Sequence, residues 1–416
     1  MATPLTKTLF DSVIKTYYPR SSDLVDMAMR KSPLLPKVKR DPNFSGSAKR
    51  VPWIVDNPAG GSANYANALT DNFAGSYKHI LVEPISYYQQ IGISNIAIDA
   101  SRNDAGALLR AGKTELDRGL QAVGNTMSYH FYRSSNGEVG QGDGTAANLT
   151  STTWIFSNRS DVFDLHVGDQ LVFASSRTAA IRSSTTLTIA SINRNAGSVV
   201  LSATPNSLGA SIAADDFVFR RGNAYNNSSA VMAYGLADYV PVSEPTSGDS
   251  FSGSSLDRSE DSRMSGVRVD GSAKTIEQGA VELIAEVINN RGDADTFTIN
   301  PLQGAKLVGA LSSKVFYDEV KSTEKNIGGK VMKVALGSVI CDLVMDPDCP
   351  VGYAHTLSTE DWELISYGPA PKIQDNDGNQ VRQSSSFDGV NGLLVAYYNV
   401  VCYAPHRQGR LTLPSL

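Results

Sequence analysis

This 416-residue chain has little that suits redox, membrane or metal chemistry. Cysteine is scarce: Cys341, Cys349 and Cys402 are too few for a disulfide framework. Their odd number leaves one thiol free, which fits a reducing compartment. The acceptor-like triplets at Asn148, Asn158 and Asn227 then carry little weight. No run approaches the roughly 18 apolar residues that cross a bilayer, and Met1 to Phe10 has no basic start followed by an apolar signal core. The expectation is a soluble protein, made and used inside a cell, with no membrane partner. The five histidines, His79, His130, His166, His355 and His406, are scattered, and none belongs to an H-E-x-x-H pair. Cys341, Cys349 and His355 lie 8 and 6 residues apart without a C-x-x-C element, a spacing that favours ordinary burial over zinc. His130, beside the apolar stripe of a helical pattern, reads as a core histidine.

Other short motifs fail on context. Gly248-Asp249-Ser250 has the look of a hydrolase serine block, in which a strained turn presents the hydroxyl to a histidine base. Here it lies in a Ser/Gly-rich stretch, and the next histidine downstream is His355. Asp375-Asn376-Asp377-Gly378 resembles a calcium loop, but Ile373 stands at the first ligand position and Ser384 at the last, so a polar turn is expected. Gly140, Gly142 and Gly144 neither follow a strand nor open a helix, as a dinucleotide fingerprint requires. Arg291-Gly292-Asp293 falls at an expected helix end. Neither a catalytic centre nor a cofactor or metal site is predicted.

Positive charge is missing from one stretch and concentrated in another. Residues 51–77 contain no Lys or Arg, whereas residues 1–50 carry ten Lys/Arg against four Asp, a balance of +6 that leaves −11 on residues 51–416. A basic arm on an acidic body suits nonspecific nucleic-acid binding or an acidic neighbouring surface. No recognised nucleic-acid module supports sequence-specific reading.

With 41% hydrophobic and 19% charged residues, the chain can bury a substantial core and hold two or three domains. Residues 1–47 read as an arm: Pro19, Pro33, Pro36 and Pro42 forbid one long helix, and Leu24-Val25 and Leu34-Leu35 offer separate docking points. Val51–Val55 and His79–Ile93 read as the two strands of a long hairpin around a small-residue tip, 56–77. A lone hairpin is marginal in water, so this one needs a partner surface. From Ser101 to Arg133 apolar residues recur at helical spacing, with Leu109, Leu116, Leu120, Val123, Met127 and Phe131 in register. Gly106, Gly112, Gly119 and Gly124 weaken this helix but admit a close backbone.

After the turn-rich Asn136–Gly144, short β-like runs follow at Trp154–Phe156, Gln170–Phe173, Leu187–Ile192, Val199–Leu201 and Phe217–Phe219. Turns at Val167-Gly168-Asp169 and Asn195-Ala196-Gly197 separate some of them, the spacing of a small sandwich or barrel. A Ser/Gly/Asp-rich linker (Ser243–Ser265) leads to a helix near Ala273–Asn290 with Gly292 as its stop. Another helix starts at Asn300-Pro301, with Asn as cap and Pro at the first helical position. Strands dominate from Lys330 to Leu413.

This order resembles the tailed-bacteriophage major capsid proteins, whose fold is shared with herpesvirus capsid floor domains and encapsulin shells. Local wording adds to it: Gly235-Leu236 leading to Asp257-Arg258, Asp346–Gly352 before Trp362, and Tyr397–Pro405 closing with Gly409–Leu411. The resemblance implies an α+β fold with an N-arm (1–47), extended β-hairpin loop (48–98), spine helix and peripheral domain (99–144), and an inserted small β-sandwich or barrel (145–222). A linker and peripheral-domain return (223–272), an axial domain (273–385) and closing peripheral strands (386–416) complete it.

What the family does is assemble, as hexamers and pentamers, into an icosahedral shell around double-stranded DNA. In this chain the intersubunit loop contacts would fall on Asp56, Asn57, Asn64, Tyr65, Asn67, Leu69, Asn72, Phe73 and Tyr77. Arm contacts would fall on Leu24, Val25, Leu34, Leu35, Lys37, Lys39 and Arg40. The resemblance further implies a separate scaffolding protein and a portal, and it admits a decoration protein. It places assembly in the bacterial host cytoplasm and the product in the virion. Some related shells crosslink a loop-tip lysine to a neighbouring asparagine, and the lack of Lys between residues 51 and 77 argues against that here, with Lys78 at the base. Two alternatives stand beside this reading. One is an encapsulin-like nanocompartment shell. The other is a β-rich hydrolase or carbohydrate-binding protein in which Trp154, Phe156 and Phe173 form a stacking platform.

Overall fold

The structure is a computed structural model describing residues 21–29, 32–56, 61–70, 76–94, 105–209, 211–224, 231–249, 251, 256–311, 333–336, 339–375, 381–384 and 388–414. The chain forms two compact units, one of Met1–Ser47, Glu83–Tyr129 and Leu364–Asn399, the other of Ala48–Val82, His130–Glu363 and Val400–Leu416.

The first unit is built on a long strand and a long helix. Strand β19 (Gly389–Cys402) pairs with β4 (Ile85–Ser94) in antiparallel register from Gly389 opposite Ser94 to Tyr398 opposite Ile85. The same sheet holds β1 (Lys39–Asp41), β16 (Trp362–Ser366), β17 (Lys372–Ile373) and β18 (Val381–Gln383). Helix α3 (Ala105–Tyr132) has 28 residues, about 42 Å at 1.5 Å per residue. Leu116, Leu120, Val123 and Met127, spaced four, three and four apart, are each exposed by 2% or less, so the predicted stripe is the buried one. Residues 101–104 of the expected helix lie outside the described residues. Gly124 answers the expectation of a close backbone: a Cβ there would lie 1.8 Å from the carbonyl oxygen of Ala28 in α1 (Ser21–Met29).

The second unit contains a hairpin, a barrel and a mixed sheet. In the hairpin, β2 (Lys49–Asp56) pairs with β3 (Ser76–Val82), Val51 facing Ile80 and Trp53 facing Lys78. Here the structure corrects the sequence reading. The run expected as one strand from His79 to Ile93 is two strands, interrupted at Glu83-Pro84, and its second part is β4 of the other sheet. Proline has no N–H for the ladder, which explains the break.

The inserted β-runs form a sheet ordered β5-β10-β7-β8-β9-β6. Its strands are β5 (Glu138–Gln141), β6 (Thr153–Ile155), β7 (Gln170–Ala174), β8 (Leu187–Asn193), β9 (Ser198–Leu201) and β10 (Phe217–Arg220). The first and last strands in this order meet through a bridge between Gly142 and Phe156, and the N–H of Ser157 donates to the carbonyl of Gln141 at 2.9 Å. The sheet therefore closes on itself as a small barrel, one of the two forms expected. Its core cluster includes Trp154, Phe156, Leu171, Phe173, Leu187, Val199 and Val218, together with Val162 and Leu165. Strand β5 falls in the stretch read as turn-rich, because four residues are too few to display an alternation. A short helix, α4 (Ala147–Thr150), lies between β5 and β6, and another, α5 (Leu236–Tyr239), follows β10.

The mixed sheet is ordered β11-β20-β15-β12-β14-β13. Its strands are β11 (Val267–Asp270), β12 (Thr296–Ile299), β13 (Lys333–Leu336), β14 (Val339–Met345), β15 (Tyr353–Leu357) and β20 (Gly409–Thr412). Helix α6 (Ile276–Asn289) lays Ala280, Leu283, Ile284 and Val287 on Phe297, Ile299 and Leu411. It begins at Thr275, whose hydroxyl accepts from the N–H of Gln278 while the Gln278 side chain accepts from the N–H of Thr275. Its end is also corrected. The left-handed residue is Arg291 (φ 59°), with the N–H of Gly292 donating to Val287 and that of Arg291 to Ile288. Helix α7 (Pro301–Leu311) starts as expected: the Asn300 side chain accepts from the N–H of Leu302 at 3.1 Å.

Candidate assembly surfaces

The hairpin has a fixed base and an uncovered end. Alternation along β2 and β3 turns Val51, Trp53, Ile80 and Val82 inward, each 2% exposed or less, and turns Arg50, Pro52, Tyr77, His79 and Leu81 outward. The Trp53 indole N–H donates to the carbonyl of Cys402 at 3.0 Å, and its ring packs on Phe251 and Tyr239. Lys78 pairs with Glu260 at 3.0 Å. Lys49 pairs with Glu363, which also accepts from the Tyr403 hydroxyl. Burial works against the Lys49 ammonium, yet these hydrogen bonds hold its pKa above the ordinary lysine value.

Beyond the base, the described part of the tip is α2 (Tyr65–Thr70). Asn64 starts it, its side-chain oxygen accepting from the N–H of Ala66 at 2.9 Å. None of its residues is buried: Tyr65 is 79% exposed and Leu69 63%, one turn apart on the same side. Asn64 and Asn67 are exposed, and Tyr77 at the start of β3 is 67% exposed. Asn57, Asn72 and Phe73 lie outside the described residues, as does the side chain of Asp56. Six residues are far short of the roughly 12–15 at which an isolated helix becomes marginal in water. Beyond its local Asn64 cap, a surface that covered Tyr65 and Leu69 would stabilise such a segment.

The structure divides the predicted arm residues into two groups. Leu24, Val25, Leu34 and Leu35 are buried within their own chain, and the Ser32 hydroxyl meets that of Ser128 on α3 at 3.0 Å. Lys37 and Lys39 are exposed, and Arg40 reaches Asp26 at 3.5 Å. Residues 1–20 lie outside the described residues.

The three aromatics expected as a stacking platform in the barrel do not form one. Trp154, Phe156 and Phe173 are 0%, 4% and 1% exposed, and the Trp154 and Phe173 rings are 4.8 Å apart in the core. The carbohydrate-stacking alternative fails on this burial. Asn148, an acceptor-like asparagine, is fully buried and donates to the carbonyls of Ile155 and Ala214.

Around the serine block the described side chains are tied up in local pairs. Asp249 accepts from Arg258 at 2.6 Å, the N–H of Gly248 donates to Asp257, and Ser250 lies outside the described residues. His130 is buried as expected, its pKa pushed down to about 3 by burial and then by Arg220 and Arg133. Cys349 lies 3.9 Å from His355. Burial raises the thiol and lowers the imidazole, so both are neutral and no thiolate–imidazolium pair forms. Among the described residues no cluster of His, Cys, Asp and Glu could hold a metal ion, and no helix is long and apolar enough to cross a membrane.

One feature at the hairpin base carried no sequence signal. A cavity of about 260 Å³ lies between β2 and the Tyr403–Arg407 turn, lined among others by Trp53, Met264, Pro405, Arg263, His406 and Arg407. It joins residues from four separate stretches, which no local pattern reveals.

The fold has counterparts among solved structures. The chain is similar to the Cyanophage A-1(L) capsid asymmetric unit, with a TM-score of 0.52 at 11% identity, covering 92% of this chain and 93% of that one. It is also similar to the capsid of the native GTA particle, with a TM-score of 0.45 at 9% identity over 94% and 91% of the two chains. The SrpI encapsulin from Synechococcus elongatus PCC 7942 gives 0.41 at 9% identity over 91% and 88%. No protein-family model matches the sequence, and no curated protein is similar to it. The architecture is the tailed-phage major capsid protein fold, α+β throughout.

Proposed function

We propose that this chain is a major capsid protein: copies join as hexamers and pentamers into an icosahedral shell that encloses double-stranded DNA. The observation that carries the reading is the capsid-shell fold over 92% of the chain together with a tip helix that buries none of its own residues. A hairpin fixed at one end and uncovered at the other is suited to lie on a second copy. Repetition of such modest contacts around a ring gives avidity that one contact lacks. Lys37, Lys39 and Arg40 add exposed or half-exposed positive charge for nonspecific contact with phosphate or with an acidic neighbour. Structural subunits of this kind need no catalytic centre. A scaffolding protein, a portal and a decoration protein are the partners this reading entails or admits, with assembly in the host cytoplasm and residence in the virion.

The test is negative-stain electron microscopy of the purified protein after gradient sedimentation, with and without a candidate scaffolding protein. Closed shells, rings of five or six, or regular tubes are expected, and a persistent monomer under all conditions would contradict the proposal. Replacing residues 57–75 by a short turn should leave a folded subunit that forms no closed shells. Nucleic acid inside the particles separates a genome shell from a nanocompartment of the same fold, which would hold protein.

A further inference from the structure

Among the described residues three arginines are buried: Arg133, Arg258 and Arg410, 8%, 6% and 5% exposed. Two of them have a carboxylate beside them, Arg133 reaching Asp161 and Arg258 reaching Asp249, each at 2.6 Å. Arg410, the most buried, pairs with no described carboxylate. Its Nη1 donates to the carbonyl of Val240 at 3.2 Å, and its guanidinium lies 4.0 Å from the centre of the Tyr353 ring. Its Nε is buried without a hydrogen-bond partner. A guanidinium offers five N–H donors, so one carbonyl and one ring leave most of them unserved. A buried charge without compensation is strongly destabilising.

The sheet sets a second unpartnered group beside it. Arg410 on β20 stands opposite His355 on β15, and residues opposite each other in an antiparallel pair share a face. On the other side of β20, Arg268 of β11 is in register with Arg410. His355 is fully buried; its Nδ1 lies against the Cys349 sulfur at 3.9 Å, and its Nε2 has no partner. Burial keeps this ring neutral, and a neutral imidazole carries one N–H, which an anion would draw to Nε2. Burial first, and the like charges of Arg177 and Arg133 after it, push the Arg410 pKa down to about 10, so the guanidinium is still charged at neutral pH. The neighbouring carboxylates are already engaged. Asp161 holds Arg133, Glu138 holds Arg177 at 3.1 Å, and Asp346 accepts from the Tyr132 hydroxyl and the N–H of Asp348, both at 3.0 Å.

We infer that Arg410 and His355 form an internal binding site for a monovalent anion of chloride size, held by Arg410 Nε and the His355 ring. Side chains packed to 5% exposure or less admit an ion little larger than a water molecule, which excludes sulfate, phosphate and organic carboxylates. The ion supplies the negative charge that Arg410 lacks and ties β20 to β15 within the mixed sheet. The site does not depend on the assembly reading.

The experiment is thermal unfolding of the unassembled full chain in sodium chloride, bromide, gluconate and sulfate at equal ionic strength. The midpoint should climb with the logarithm of chloride or bromide concentration and exceed that in gluconate by roughly 3 °C or more. Sulfate stabilises proteins generally by exclusion from their surface, so its effect should not depend on Arg410. Arg410→Met should abolish the halide dependence, while Arg50→Met, at an exposed arginine, should keep it. Equal midpoints in chloride and gluconate, or a halide dependence that survives Arg410→Met, would overturn the inference. Bromide also locates the ion in wild-type crystals by anomalous scattering, whether or not the Met variant folds. A peak in contact with Arg410 Nε is expected, and bromide bound only at exposed arginines would overturn the site.

Discussion

The barrel and the tip of the hairpin are both made of short elements, yet they are stabilised in opposite ways. The barrel closes its sheet through Gly142 and Phe156 and places Trp154, Phe173, Val199 and Val218 at 1% exposure or less. Helix α2 of the tip buries nothing, and its two large side chains face solvent. Fixing a residue's backbone costs roughly 1–2 kcal/mol, and burying a large apolar side chain contributes about 1.5–3 kcal/mol. In the barrel the second term opposes the first residue by residue; in α2 of a single copy no buried side chain opposes it. The contrast separates a region whose structure its own sequence determines from one that, in the assembly proposed above, a partner would complete.

Three variants sharpen or break this contrast. The largest effect is expected from Trp154→Ala, which empties the centre of the barrel core and should cost about 3–5 kcal/mol in urea unfolding of the unassembled chain. A loss under 1 kcal/mol would mean that the barrel is not held by its core. Next is Glu138→Gln. Glu138 is buried on β5 opposite Arg177 at 3.1 Å, and burial pushes its pKa up to about 7 despite that cation. A carboxyl whose folded pKa is raised lends stability in acid and loses it as pH climbs from about 4.5 to 7. The wild type should therefore lose on the order of 1–3 kcal/mol across that window, and the Gln variant should show a flatter profile. Identical profiles would remove Glu138 as the cause. The smallest effect is expected from Tyr65→Ser with Leu69→Ser, which should change the stability of the unassembled chain by less than about 0.5 kcal/mol while suppressing assembly. A large loss in the monomer would show that the tip packs on its own chain.

How much of this was legible in the sequence follows from how local each feature is. The barrel strands were readable because glycines punctuate them: Gly168 and Gly197, predicted in turns, have φ of 97° and 67°. The α3 stripe and the Asn300-Pro301 start were readable for the same reason, since each pattern spans one or two turns of chain. The Thr275–Gln278 cap was present as a short motif but overlooked, which set the predicted start of α6 three residues early. Barrel closure was not legible, since it depends on Gly142 meeting Phe156 across a connection of its own. Nor was the partner of β4, because the alternation in Ile85–Ser94 fixes which side chains turn inward and not which strand lies alongside. The left-handed Arg291 misled because the neighbouring Gly292 is the residue that usually takes that conformation. Of the tip residues assigned through the resemblance, Asn64, Tyr65, Asn67, Leu69 and Tyr77 are exposed, whereas Leu24, Val25, Leu34 and Leu35 look the same in sequence whether they dock on a neighbour or on their own chain.

The most direct measurement is amide hydrogen exchange at residues 65–70, followed in the unassembled chain and in assembled particles. The account predicts near-unprotected exchange in the unassembled chain, with barrel amides at 171–173 and 199–201 strongly protected, and at least a tenfold rise in tip protection on assembly. Tip amides as protected as the barrel's in the unassembled chain, or unchanged by assembly, would contradict it.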